Sequence, residues 1–117
     1  MAIDKVIADV AVDDFASALT WYERLLGRPA DAAPMDGLAE WYLAEGGGIQ
    51  VSDYAERAGS SNVTLVVSSL DEQLAALEAE GIPVGPMQGT PGFVKTATVS
   101  DPEGNEITFA EDLTDKT

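Results

Sequence analysis

The sequence contains neither cysteine nor histidine. Without cysteine there are no disulfides and no thiolate ligands, so the redox compartment cannot be read from it. Lacking histidine as well, it has no imidazole for acid–base work or metal ligation. The Ser-His and Cys-His pairings of common hydrolases cannot be assembled. Basic residues are scarce: six lysines and arginines stand against 21 acids, for a net charge of −15. A chain so acidic repels phosphate backbones and anionic membrane surfaces, and its field favours cationic ligands. No apolar run approaches the ~18 residues of a membrane span, and the start Met1-Ala2-Ile3-Asp4-Lys5 carries no basic region before an apolar stretch. The expectation is a cytoplasmic protein without nucleic-acid or membrane partners.

What is present fits one small domain: 117 residues, where domains run about 100–200. Lys5 to Val12 alternates as a strand, and Asp13 or Asp14 caps the segment that follows. Phe15, Ala18, Leu19, Tyr22, Leu25 and Leu26 recur at helical spacing, with Trp21 and Tyr22 read as packing residues. Gly27 stops that helix and Pro29 prevents its continuation. Strands are expected at Arg28 to Ala33, Ala39 to Glu45 and Gly48 to Asp53, with Gly46-Gly47-Gly48 as a hairpin turn. No Lys-Ser or Lys-Thr follows those glycines, so they are not a phosphate cradle.

Residues 54–61 form a polar connector, after which the plan begins again. Asn62 to Val67 reads as a strand, Ser69 or Asp71 as a cap, and Leu70, Leu74 and Leu77 as a helical face ended by Gly81 and Pro83. The landmarks Val12, Gly27 and Pro29 return 54–55 positions later as Val67, Gly81 and Pro83. Ile82 to Gln88, Phe93 to Val99 and Asn105 to Ala110 complete the second set of strands. The last two are joined by an Asp101-Pro102-Glu103-Gly104-Asn105 turn. The final eight residues are expected to form a loose tail. Both halves read βαβββ, with module 1 at about 1–55 and module 2 at about 62–111 of a single domain.

The stretches Val12-x-Asp14-x-x-x-Ala18-Leu19-x-Trp21-Tyr22-x-x-Leu25-Leu26-Gly27 and Val99-Ser100-Asp101-Pro102-Glu103-Gly104-Asn105-Glu106-Ile107, with Gly81-Ile82-Pro83-Val84 between them, carry a family likeness. The chain resembles the vicinal oxygen chelate superfamily of glyoxalase I, extradiol dioxygenases and bleomycin resistance proteins. That resemblance implies an α+β fold in which two βαβββ modules form a curved mixed sheet around a cavity, usually completed by a homodimer. Metal-dependent members carry ligands at positions that fall here on Ile7, Gln50, Asn62 and Thr108. Ile7 has no donor atom, while Asn62 and Thr108 offer only weak neutral oxygens. The resemblance is therefore nearest to the metal-free, antibiotic-resistance branch, whose members bind a small organic ligand, cationic and aromatic in type. No cofactor and no metal are expected, and binding is favoured over catalysis.

Ligand contacts are expected from Ile7, Asp9, Trp41, Gln50, Asn62, Phe93, Lys95 and Thr108. Trp41 and Tyr42 are strand neighbours, so one of them must face away from the cavity. Lys95 is placed on the side of its strand that bears Phe93. The alternative is an isomerase, lyase or dioxygenase of the same superfamily, metal-dependent or cofactor-free; in the cofactor-free case it would act through Asp9, Glu106 or Lys95 as base or anchor.

Overall fold

The computed structural model describes residues 2–114 as two compact units. One comprises the chain through Ser61 together with Pro102–Asn105; the other comprises Asn62–Asp101 and the chain from Glu106 onward. The division between 61 and 62 falls where the connector ends.

In the first unit, β1 (Val6–Val12) leads into α1 (Phe15–Leu26), followed by β2 (Ala32–Met35), β3 (Leu38–Ala44) and β4 (Gly47–Asp53). The sheet order is β1-β4-β3-β2, with β1 parallel to β4 and the other pairs antiparallel. Asp14 caps α1 by accepting from the Ser17 N–H at 3.2 Å and from its hydroxyl at 2.8 Å. These bonds hold the Asp14 carboxyl below the usual carboxylate range. At the other end Gly27 adopts φ 76°, a left-handed stop that its missing side chain permits. The β3–β4 hairpin turns at Glu45-Gly46, so only the first glycine of the triplet lies in the turn; Gly47 and Gly48 open β4.

Helix α1 buries Ala18, Tyr22 and Leu25. On the sheet side Val10, Val12, Ala39, Trp41, Ile49 and Val51 are at most 2 % exposed. The rings of Tyr22 and Trp41 meet at 6.4 Å between centroids, and Trp41 Nε1 donates to the Arg28 carbonyl at 3.0 Å. Withdrawing an indole of ~200 Å² from water is worth about 5 kcal/mol, against about 1 kcal/mol for that hydrogen bond. Ring burial therefore decides which way β3 faces.

The second unit repeats the plan. Strand β5 (Asn62–Val66), helix α2 (Leu70–Ala79), β6 (Gln88–Thr90), β7 (Val94–Ser100) and β8 (Glu106–Asp112) form a sheet of order β5-β8-β7-β6, with β5 parallel to β8. Ser69 caps α2 by accepting from the Glu72 N–H. Buried Glu111 adds a second cap, accepting from the Leu70 N–H at 2.7 Å. Leu70, Leu77, Val63, Val99, Ile107 and Phe109 fill this core.

Three expectations need correction. Ile82 to Gln88 is not a strand: Pro83 and Pro86 have no N–H to donate, so apart from the bond from Gly85 N–H to the Thr98 carbonyl the ladder with β7 starts only at Gln88. The strand expected over Arg28 to Ala33 is displaced to Ala32–Met35, because Arg28 and Asp31 spend their polar groups on Trp41 and Tyr42. The tail begins later than expected, since β8 continues to Asp112, paired with Val94; residues 115–117 lie outside the described part.

The Asp-Pro-Glu-Gly-Asn segment joins β7 to β8 as anticipated, yet its residues 102–105 group with the first unit. The Glu103 carboxylate accepts from the N–H groups of Asp13 and Asp14 at 2.7 and 3.0 Å. Asn105 is fully buried; its amide donates to the Ala11 carbonyl at 3.0 Å and accepts from the Ser61 N–H at 2.9 Å. Among the described residues no helix is long and apolar enough to cross a membrane.

Candidate functional site

Each sheet has one face covered by its helix and one that is not. Strand alternation fixes the membership of the second, open face. In the first unit Val10, Ile49, Val51 and Trp41 point toward α1, so Ile7, Asp9, Gln50, Glu40 and Tyr42 lie opposite. Register groups them into rows: Asp9, Gln50 and Glu40 are cross-strand neighbours, as are Ile7, Gly48 and Tyr42.

The first row is polar and internally bonded, with Gln50 Nε2 donating to Asp9 Oδ1 at 3.1 Å. In the second row Gly48 leaves no side chain between Ile7 and Tyr42. A Cβ at that position would come within 2.4 Å of the Trp41 carbonyl oxygen, so the gap is built into the sheet. The Tyr42 hydroxyl donates to Glu40 Oε1 at 2.8 Å. That bond, with lesser effects of burial and of the Glu40 and Asp31 charges, raises the phenol's pKa. Lys5 Nζ sits 3.8 Å from the centroid of the Tyr42 ring.

The open face of the second unit has different chemistry on the same register. Thr64, Thr108 and Thr98 form the central row, flanked by Asn62, Glu106 and Ser100. The hydroxyls of Thr98 and Thr108 share a hydrogen bond of 2.8 Å. All of these side chains are exposed or half-buried.

The four positions on which the family resemblance places ligands thus lie on open faces, Ile7 and Gln50 in one unit, Asn62 and Thr108 in the other. Their donors do not suit a transition metal. Ile7 offers nothing, Gln50 is engaged with Asp9, and Thr108 with Thr98. Among the described residues no cluster of three or more carboxylates forms a metal-holding group.

Three expected contacts are placed elsewhere. Trp41 has no exposed surface and belongs to the core beneath α1; Tyr42 is the ring on the open face. The signal was the run Ala39-Glu40-Trp41-Tyr42, whose apolar phase follows Ala39 and Trp41 once the helix is placed against it. Lys95 lies on the helix side of its sheet, opposite Glu111 in register, 4.0 Å from that carboxylate and 3.6 Å from Asp71. Phe93 precedes β7 in a turn, 62 % exposed as a residue, with its carbonyl accepting from the Leu113 N–H at 2.8 Å. It shares no open face with Thr108. Tyr42 was weighed against Trp41 for the open face and takes it; Glu40 and Lys5, which were not among the expected contacts, lie beside it.

No family model and no curated protein matches the sequence. Solved structures do. The chain is 36 % identical to a glyoxalase / bleomycin resistance protein from Catenulispora Acidiphila DSM 44928, over 92 % of this chain and 96 % of that one, at a TM-score of 0.86. It is 26 % identical to TnmS3, an antibiotic binding protein from Streptomyces sp. CB03234, covering 96 % and 98 % at a TM-score of 0.78. A bleomycin-binding protein solved with bleomycin shares the fold, with 17 % identity over 93 % and 98 % at a TM-score of 0.76. The paired βαβββ architecture, the spacing of its end motifs and these likenesses agree: the chain belongs to the glyoxalase / bleomycin resistance protein family of the vicinal oxygen chelate superfamily.

Proposed function

We propose that this protein binds a small organic molecule on an open sheet face without a metal, sequestering or carrying it, and that it works as a homodimer. The reading rests on the side chains that stand where the resemblance places ligands, Ile7, Gln50, Asn62 and Thr108. Two of those side chains are already bonded within the sheet. Side chains that hydrogen-bond weakly and can exchange partners suit reversible binding of a neutral or charged organic molecule. The antibiotic-binding and bleomycin-binding relatives support the same reading. Asp9 lies beside the bonded pair on the open face and is a proposed contact. The net charge of −15 adds a field that favours cations. For the catalytic alternative, Lys95 is not available as an open-face base, because it is paired with acids beneath α2.

The test is a thermal-shift and ¹⁵N-correlation screen of the purified chain against a panel of organic cations and neutral heteroaromatics, with light scattering for mass. The expected result is a saturable hit whose amide shifts cluster on one open face, at Asp9 and Gln50 or at Thr98 and Thr108. A panel-wide absence of saturable shifts overturns the binder reading. A monomeric mass overturns the dimer.

A further inference from the structure

Tyr42 is anchored from four directions while remaining on the surface. Arg28 donates to its carbonyl oxygen, and Asp31 Oδ2 accepts from its N–H at 2.7 Å; the two anchors pair with each other at 2.8 Å. The hydroxyl is held by Glu40, and Lys5 covers the ring. Even so, the residue is 36 % exposed. A ring fixed in place without being buried is preorganised for contact with something else. Beside it Gly48 leaves the strip between Ile7 and Tyr42 open.

The electrostatics point one way. Donation of the phenol proton toward a carboxylate raises the electron density of the ring, and Glu40 and Asp9 add negative charge on the same face. Aromatic faces of this kind attract cations within about 6 Å of the centroid, and Lys5 already satisfies that condition. Lysine is a poor permanent occupant. Its ammonium is compact, strongly hydrated and carried on a flexible stem, so exchanging it for water is easy. A quaternary or aromatic ammonium is weakly hydrated, and such cations are the ones aromatic faces hold best.

We infer that the exposed face of the Tyr42 ring is a cation seat for the ligand's charged end, a quaternary or ring-embedded ammonium, and that Lys5 is an internal occupant which the ligand displaces. This rests on the small-molecule-binding reading above and adds to it a seat and a competing residue. Arg28 and Asp31 act as positioning residues that fix the ring through its backbone.

The experiment titrates N-methylquinolinium, and neutral quinoline at pH 8, into ¹⁵N-labelled full-length protein and the Lys5→Gln, Tyr42→Leu and Tyr42→Phe variants. Lys5→Gln should tighten the quinolinium Kd about two- to five-fold, the worth of one exposed cation–π contact, and leave quinoline unchanged. Tyr42→Leu should abolish the preference for the cation. Tyr42→Phe, which keeps the ring and guards against a folding artefact, should retain a reduced preference. An unchanged or weaker quinolinium Kd in Lys5→Gln overturns the inference. So does equal tightening for quinoline, which would mean only that space had been cleared. If quinolinium binds no form of the protein the seat is refuted, while the binder reading survives provided a neutral compound still shifts the Asp9 and Gln50 amides.

Discussion

The two sheets have the same strand order, the same parallel first pair and an equivalent register, with Asp9 beside Gln50 in one and Thr64 beside Thr108 in the other. Their helix-covered faces are filled by different side chains to the same end, an aromatic pair of Tyr22 and Trp41 against an aliphatic set around Leu70 and Leu77. The open faces differ in kind. One row reads Asp9, Gln50, Glu40 and is charged; the other reads Thr64, Thr108, Thr98 and is neutral. Folding constrains the covered face through packing and leaves the open face to chemistry. A repeated module can therefore offer two unlike surfaces on one backbone plan.

The largest test of that division lies within a single strand. Trp41→Ala should cost about 3–5 kcal/mol in urea unfolding, since it empties the core and strips a donor from the Arg28 carbonyl. Tyr42→Ala, one residue away, should leave the unfolding midpoint almost unchanged and weaken ligand binding instead. Equal stability losses at the two sites would erase the distinction between covered and open faces.

Next comes the turn that joins strands of the second unit yet groups with the first. Asn105→Ala removes a buried amide and leaves the Ser61 N–H and Ala11 carbonyl without it, so about 2 kcal/mol should be lost. Hydrogen exchange should locate the loss, with protection falling at Ala11 and Ser61 more than along β5.

The smallest effect is at the cap of α1. The Asp14 pKa is lowered by its bonds to Ser17, so the group contributes stability above the unfolded value of about 4 and loses it as pH falls through the folded value. Asp14→Ala should therefore lower Tm at pH 7, and the gap to wild type should close below about pH 4. A gap that persists at low pH would mean the carboxylate's charge is not what holds the cap.

Much of the fold was legible in the residues because the signals are local. Asp14, Gly27, Ser69 and Gly81 mark helix ends by their own conformational chemistry, and their recurrence exposed the repeat. The site was less legible. Which of Trp41 and Tyr42 faces outward depends on Tyr22, a partner nineteen positions earlier that strand alternation alone does not identify. Lys95 was assigned to the side of Phe93, but Phe93 lies in a turn and the pairing of Lys95 with Glu111 fixes its direction. The strand expected at Ile82 failed because two prolines outweighed its apolar character. Packing and register between distant residues decided the first two cases, and local proline chemistry the third.

Metal-free binding on an open sheet face is the claim on which the functional account stands. Chelator-treated protein should be titrated with the strongest screening hit, alone and with Zn²⁺, Ni²⁺, Mn²⁺ or Fe²⁺ supplied in slight excess, while metal uptake is followed by mass spectrometry. The account predicts the same Kd in every case and no stoichiometric uptake. One equivalent of ion retained by the wild type, lost in Gln50→Ala and required for the ligand to bind, would contradict it.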